Sequence, residues 1–428
     1  MNQKKYYPTA VALYVTYFIL GIAVTIMGQY KQSFAAMWGA NQLADGSFDV
    51  SKVMAIIAAV GLGRLIAFPF AGPFSDKYGR RLSALVGVVF FAIFFIGITF
   101  TTNTALAYIL MICSGMANSF LDTSITPSCM EIFKENGAIA NLFTKFAISM
   151  AQFLLPFLIT FVAARDMSFR TLYFLAAGII IVDGIFLAIL PFPPKEEAPK
   201  AADGTVEKRK MKLTPSAILL VCIGFTASTT FMLFMNCNQE LGKLYGMANP
   251  SMIQSFYSAG IICAVLLTAA LMKKGLKPIR VLVIYPCVAF CALLLMYFVQ
   301  IPQICMVGGF LIGYFAAGGV LQLATSTANE MFPRDKGKIT AVVMIASSIA
   351  NYAVLNVASL LSKVGGVQGP RYILLFNAVV TAIGIVFAII LNLRFEKDAQ
   401  ESPFTKDKNY RKTLQQKRGT KWKKSLPA

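Results

Sequence analysis

The sequence contains no histidine, and only 14% of its 428 residues are charged. Without histidine, one common proton carrier near neutral pH is missing, so any proton transfer falls to carboxylates. Several chemical signatures are absent too. There is no G-x-x-x-x-G-K-[ST] phosphate loop, no dinucleotide fingerprint, no H-E-x-x-H pair and no serine elbow. These absences argue against an ATP-driven pump, a membrane hydrolase or any other enzyme, and no metal or cofactor is expected. The eight cysteines include no C-x-x-C spacing and read as small buried apolar residues. Scarce charge beside 57% hydrophobic residues is more than a water-soluble domain can hide in one core.

What fills the chain instead is long apolar runs. A window near the length needed to cross about 30 Å of hydrocarbon finds twelve. They lie at 9–34, 51–74, 82–100, 104–129, 139–163, 171–191, 213–237, 251–272, 281–299, 304–329, 339–361 and 371–393. Their continuity predicts helices rather than the alternating strands of a barrel, hence an all-α integral membrane protein. The first run follows MNQKKYY, exceeds a signal-peptide core and lacks a small-residue cleavage site, so it is expected to be retained.

The formal net charge of +20 raises the question of nucleic acid, but the bases are sorted by loop. Counting alternate loops from Lys4 and Lys5, one face collects Lys77, Arg80, Arg81, Lys134, Lys273, Arg280 and Lys338, with the residues around 208–212 and the tail. The other face holds only Lys52, Arg165, Arg170, Lys243, Lys363 and Arg371. This is the positive-inside pattern; it predicts a cell-membrane protein with both termini cytoplasmic and no nucleic-acid partner.

The longest polar interior stretch, PPKEEAPKAADGTVEKRKMK at 193–212, reads as a cytoplasmic linker. It divides a six-span half, 1–192, from a second, 213–393, with a solvated, disordered basic tail at 394–428. EIFKENGAIA from Glu131 and EMFPRDKGKIT from Glu330 rhyme after the fourth span of each half, which suggests a duplication. Two such halves describe a parallel-repeat secondary transporter with its solute site near the midplane.

GPFSDKYGRR, residues 72–81, interrupts the apolar runs between the second and third spans. Gly72, Asp76, Lys77, Gly79, Arg80 and Arg81 resemble the G-x-x-x-D-[RK]-x-G-[RK]-[RK] loop signature of the major facilitator superfamily, in the loop where that family carries it. The six-plus-six layout extends the likeness over nearly the whole chain, and GMANSFLDTSITP at 115–127 resembles the fourth helix of the fucose-permease-like branch. The resemblance implies twelve helices in two pseudo-symmetric six-helix bundles, and a latch between them that favours the outward-open state. In that latch Gly72 permits close approach to the eleventh helix, beginning near Ile339, and Asp76 faces that helix's amino-terminal dipole. Gly79 allows a tight reversal, while Lys77, Arg80 and Arg81 hold the turn at the anionic leaflet. A merely topogenic turn would explain the arginines but not the acid or the glycines.

Ionisable residues at bilayer depth are costly, so each is a functional candidate. Arg64, twelve residues before Asp76, falls near the midplane and either grips a substrate carboxylate or is a structural arginine. Asp122 and Lys145 lie at comparable depths on adjacent helices, either as a static pair or with Asp122 exchanging a proton. Asp183 and Glu240 are further coupling candidates, and Lys31 and Glu240 are either rim charges or cavity contacts. Gln29, Tyr17, Asn118, Asn236, Gln239, Gln322 and Asn351 add amides and a phenol to the candidate solute site. Pro69, Pro73, Pro127, Pro156 and Pro286 either bend their helices or end them.

The expected activity is monomeric alternating-access transport of a small organic anion or sugar, with proton symport. Proton-driven export of amphipathic compounds is the alternative within the same fold; a non-transporting sensor or scaffold is the alternative outside it.

Overall fold

In a computed structural model the described residues are 3–133, 137–193, 214–274, 276–331 and 336–401. The expected linker lies outside them except for Pro193, as does the tail beyond Glu401. Apart from an isolated bridge between Gln42 and Phe48, the described residues form helices, turns and loops.

The first half comprises α1 (Tyr7–Gln29), α2 (Lys31–Met37), α3 (Ser51–Tyr78), α4 (Arg80–Phe100), α5 (Thr104–Ile132), α6 (Gly137–Ala163) and α7 (Arg170–Ile189). The second comprises α8 (Pro215–Leu244), α9 (Met252–Lys273), α10 (Pro278–Phe298), α11 (Pro302–Ile312), α12 (Val320–Met331), α13 (Lys336–Gly365) and α14 (Gly369–Glu401). Eleven stretches are long and apolar enough to cross a membrane. One of them, Ile339–Arg394, contains most of both α13 and α14, so the chain supplies twelve spans. Large apolar side chains such as Phe70, Phe100, Ile189 and Phe298 are exposed on the outside, where lipid takes the place of a core.

Three differences from the expected spans matter most. The first span breaks at Tyr30, where the backbone leaves helical geometry, and α2 continues from Lys31. The tenth span is interrupted by a π-helical turn, Gly313–Ala317, before α12 begins. The last helix runs on to Glu401, past the expected end at 393, because residues such as Arg394, Glu396 and Lys397 are good helix formers and propagation beyond the hydrocarbon adds one bond per residue.

The two halves repeat one packing plan. In the first, α1 packs on α6 and α7, α3 and α4 on α5, and α4 on α7. In the second, α8 packs on α13 and α14, α9 and α10 on the α11–α12 span, and α10 on α14. The seam between halves obeys the same pseudo-twofold, for α3 meets α13 and, reciprocally, α6 meets α9, with α1 against α8. Small residues make the tightest contacts, as they do where hydrocarbon supplies no drive to associate. A Cβ at Gly63 would strike the Ile112 carbonyl and one at Gly115 the Val60 carbonyl, so α3 and α5 touch backbone to backbone; Gly260 and Gly313 play the same part between α9 and the tenth span.

The ends of the bundle are distinguishable. The basic face carries the start of α1, the α3–α4 turn and the close of α7. The far face carries the α1–α2 break and the starts of α3, α5 and α9. All five expected prolines lie inside helices. Pro127 has a clear consequence at the basic face. Proline offers no N–H to the carbonyl four residues back, here that of Thr123. Ser75 Oγ donates to it at 3.1 Å and Arg80 Nη1 at 3.2 Å.

Candidate functional site

The backbone contact at Gly63 and Gly115 fixes what stands one and two turns away. Arg64 Nη2 reaches Asp122 Oδ2 on α5 at 3.5 Å, and Ser119 Oγ donates to the Arg64 carbonyl at 3.2 Å. The other carboxylate oxygen, Asp122 Oδ1, accepts from the Tyr17 hydroxyl on α1 at 3.0 Å; that hydroxyl lies 2.9 Å from Thr126 Oγ1, one turn beyond Asp122. Tyr17 is almost wholly buried, so it positions Asp122 rather than lining open space. Asp122 stays one-third exposed and Arg64 less so, and the Arg64 Nε–H is buried without a hydrogen-bond partner. The expected Asp122–Lys145 pair therefore gives way to Asp122–Arg64, since the glycine contact brings α3 to α5 more closely than the α5–α6 hairpin brings Lys145. Lys145 still acts electrostatically on both Asp122 and Arg64, and its side chain is accessible although it lies among packed helices. Two cations thus face one carboxylate in a cleft.

A second set of expected residues gathers at the far face. Lys31 Nζ meets Glu240 Oε2 at 2.7 Å and donates to the Asn236 carbonyl; Gln239 Nε2 donates to Gln29 Oε1 at 2.8 Å. Lys31 and Glu240 are thus partners of each other across the seam and not separate rim charges. Asn236 and Asn351, both buried, line a small pocket just below them with Met27, Val60 and Met232. Further seam bonds join Tyr108 to Tyr352 at 3.2 Å, Ser359 to the Ser51 carbonyl at 2.7 Å and Ser255 to the Phe153 carbonyl at 2.9 Å. Among the described residues, the bonds that cross the seam belong to the far half, whereas Asp122 and Lys145, on the basic side of them, stay accessible.

The remaining expected residues fall elsewhere. Asp183 is buried inside the first half, 2.6 Å from Thr16 Oγ1, between α1 and α7 and away from the seam. Asn118 is buried on α5 beside Ser119, whereas Gln322 is exposed on α12. In the α3–α4 turn, Gly79 has φ +97°, the left-handed range that glycine tolerates. Arg80 is held by the Thr123 carbonyl, by Asp76 at 3.4 Å and by Glu131 at 3.7 Å, and Arg81 donates to the Leu190 carbonyl at 2.7 Å. Both arginines thus brace the turn against protein carbonyls and acids. A Cβ at Gly72 would meet nothing within 4 Å among the described residues, whereas one at Gly61 would collide with α13. The side chains of residues 336–338, where Asp76 was expected to find its helix tip, lie outside the described residues.

Thr126, Thr16 and Gly61 were not singled out from the sequence as site residues. The four-residue spacing of Asp122 and Thr126, which puts both on one helix face, was the available signal for the first.

Comparison with known proteins agrees with this architecture. The sequence profile of the Major Facilitator Superfamily matches residues 7–350 and 250–424. The chain is 31% identical over 402 residues to the inner membrane transport protein YdiM of Escherichia coli strain K12, covering 92% of this chain and 96% of that one. It is 30% identical over 395 residues to the uncharacterized MFS-type transporter YfkL of Bacillus subtilis strain 168, covering 91% and 97%. Among solved structures, the D-xylose–proton symporter superposes with a TM-score of 0.71 at 15% identity, covering 90% of this chain and 97% of that one. A point mutant of the nucleoside transporter NupG superposes with a TM-score of 0.69 at 10% identity, covering 89% and 99%. With its relatives being membrane transporters and its helices repeating about a pseudo-twofold, the chain belongs to the Major Facilitator Superfamily and is a multi-pass membrane transporter, not an enzyme.

Proposed function

We propose that the transported solute is a small organic anion, carried by alternating access with proton symport across the cell membrane. One observation carries the choice of solute: Arg64 and Lys145 face a single carboxylate, so the cleft has an uncompensated positive charge at bilayer depth. An uncompensated cation there is expensive, and a solute carboxylate relieves that cost. The guanidinium suits it, because Arg64 holds Asp122 through one nitrogen at 3.5 Å and keeps its Nε–H unused. In the cycle the solute carboxylate displaces Asp122 from Arg64. Asp122, left with Tyr17 as its donor, then takes up a proton, so the solute carboxylate takes over its place against Arg64 and the net charge of the site is unchanged while both travel.

The basic face is assigned to the cytoplasm by its lysines and arginines, which makes the described arrangement inward-facing. In the opposite, outward-open form the Asp76 carboxylate seats on the amino-terminal end of α13 and closes the cytoplasmic side. The working unit is one chain.

Purified protein in lipid vesicles, offered labelled monocarboxylates and neutral sugars with and without an imposed pH gradient, tests the reading. Carboxylate uptake should exceed sugar uptake and should rise when the side from which solute enters is made acidic. Arg64→Ala should abolish anion uptake with the protein still inserted, whereas Arg64→Lys should retain a fraction. Unchanged uptake by Arg64→Ala refutes the site.

A further inference from the structure

Lys31 is the most deeply buried charge in the described structure, its side chain only 1% exposed, and its partner Glu240 is 13% exposed. Burying two ions in this way is worthwhile only if they remain together with their other polar needs met. Here Lys31 meets Glu240 at 2.7 Å and the Asn236 carbonyl besides, and the neighbouring Gln239 donates to Gln29, but Glu240 Oε1 is buried with no hydrogen-bond partner, so the acid is only partly satisfied in the closed form. The lysine comes from the first half and the acid from the second. The break at Tyr30 is what delivers it, for an unbroken α1 would leave position 31 on a straight continuation of the helix instead of on the turned segment α2.

We propose that Lys31 and Glu240, backed by the Gln29–Gln239 amide pair, are the gate that holds the far face shut and must part in every transport cycle. Three features separate a gate from a fixed staple. First, the pair spans the seam between the halves at the face that must open next; the buried Thr16–Asp183 pair, by contrast, lies within one half and travels with it. Second, the layer beneath it is mostly apolar, with Val24, Met27, Val60, Met111, Met232 and Leu355 lining the pocket beside Asn236 and Asn351, so it hinders water from reaching the ions while the face is closed. Third, once the face opens both ions reach water, where separation costs little, so the pair opposes opening without making it irreversible. The charged and titratable groups near Glu240 are Lys31 from α2, with Cys237 and, exposed in the last turn, Lys243 on α8 itself; α1 brings the neutral Gln29, α9 the neutral Gln254 through Asn238, and α14 places Arg371 further out, against Tyr245 and Tyr297.

The test needs no solute. With the eight native cysteines replaced, spin labels at Thr102 and Val364, which are exposed on the far face in opposite halves, report the far-face separation of the full-length protein in vesicles. The parent should show mainly the short distance. Glu240→Gln or Lys31→Met leaves one ion buried alone in the closed form only, so each should raise the ratio of long to short distances at least about tenfold. The exchange Lys31→Glu with Glu240→Lys rebuilds the pair and should return the parent distribution, and it should recover folded protein if either single variant fails to fold. Single variants that keep the parent distribution, or an exchange that restores neither distances nor folding, would overturn the gate.

Discussion

Replacing Gly61 by alanine should drive the protein out of its far-closed form, and the structure sets the size of the effect. A Cβ at this position would lie 2.5 Å from the Tyr352 amide nitrogen, 2.8 Å from the Ser348 carbonyl oxygen and 3.0 Å from Tyr352 Cα. All three are backbone atoms of α13, so no side-chain rotation relieves the collision. Ordinary contact begins at 3.4 Å, so the two helices must separate by roughly 0.9 Å at this level. The Tyr108–Tyr352 bond and the Ser359–Ser51 bond, both on the same seam, would stretch with them. Overpacking of this kind costs about 1–3 kcal/mol, and that cost disappears when α3 and α13 splay at the far face. The ratio of far-open to far-closed molecules should therefore rise about 5- to 150-fold. Far-face spin-label distances or reaction of a buried seam cysteine with an impermeant maleimide would measure it. Gly72→Ala is the matched control. Its Cβ meets nothing among the described residues in this form, whereas the latch reading places Gly72 against α13 in the opposite form, so this variant should shift the ratio the other way. Equal shifts by both variants, or none by Gly61→Ala, would refute the rocking geometry inferred from the seam.

Three further outcomes follow from particular contacts. Asp122→Asn keeps a hydrogen-bond acceptor for Tyr17 but cannot take up the coupling proton. It should end pH-driven accumulation while solute exchange continues, and accumulation at the parent level would remove Asp122 from coupling. Asp183→Asn should leave accumulation near normal, because Asp183 sits away from the seam against Thr16; loss of coupling in that variant would move the proton site into the first half's interior. Arg80→Ala should lower thermal stability by removing one of the two donors to the Thr123 carbonyl, a loss of about 1 kcal/mol, since Ser75 Oγ still donates. In a Pro127→Ala background the helix supplies its own N–H to that carbonyl, so the same Arg80 substitution should cost less, and a double-mutant cycle showing no coupling would refute the explanation.

The features legible in the sequence were those set by one-dimensional statistics. The twelve spans follow from hydropathy, and the repeat follows from a shared loop pattern. The left-handed turn at Gly79 was also visible, because a glycine between charged residues at a helix end has few other uses. Partner choice was not legible in the same way. Comparable depth on helices joined by a short loop points Asp122 to Lys145, but depth ranks candidates only along the membrane normal and a short loop does not set the closest packing. Which helix lies nearest is decided by backbone contact at Gly63 and Gly115, and those positions look like any other small residues until three dimensions pair them. Lys31 and Glu240 were read separately as rim charges or cavity contacts because they are 209 positions apart in the chain; only the break at Tyr30 and the pseudo-twofold bring them together. Inter-half contacts are the part of a transporter that a sequence specifies most weakly, since they must be good enough to close and poor enough to open. Residues such as Gly61 therefore carry their information in what they omit, a side chain that would prevent closure.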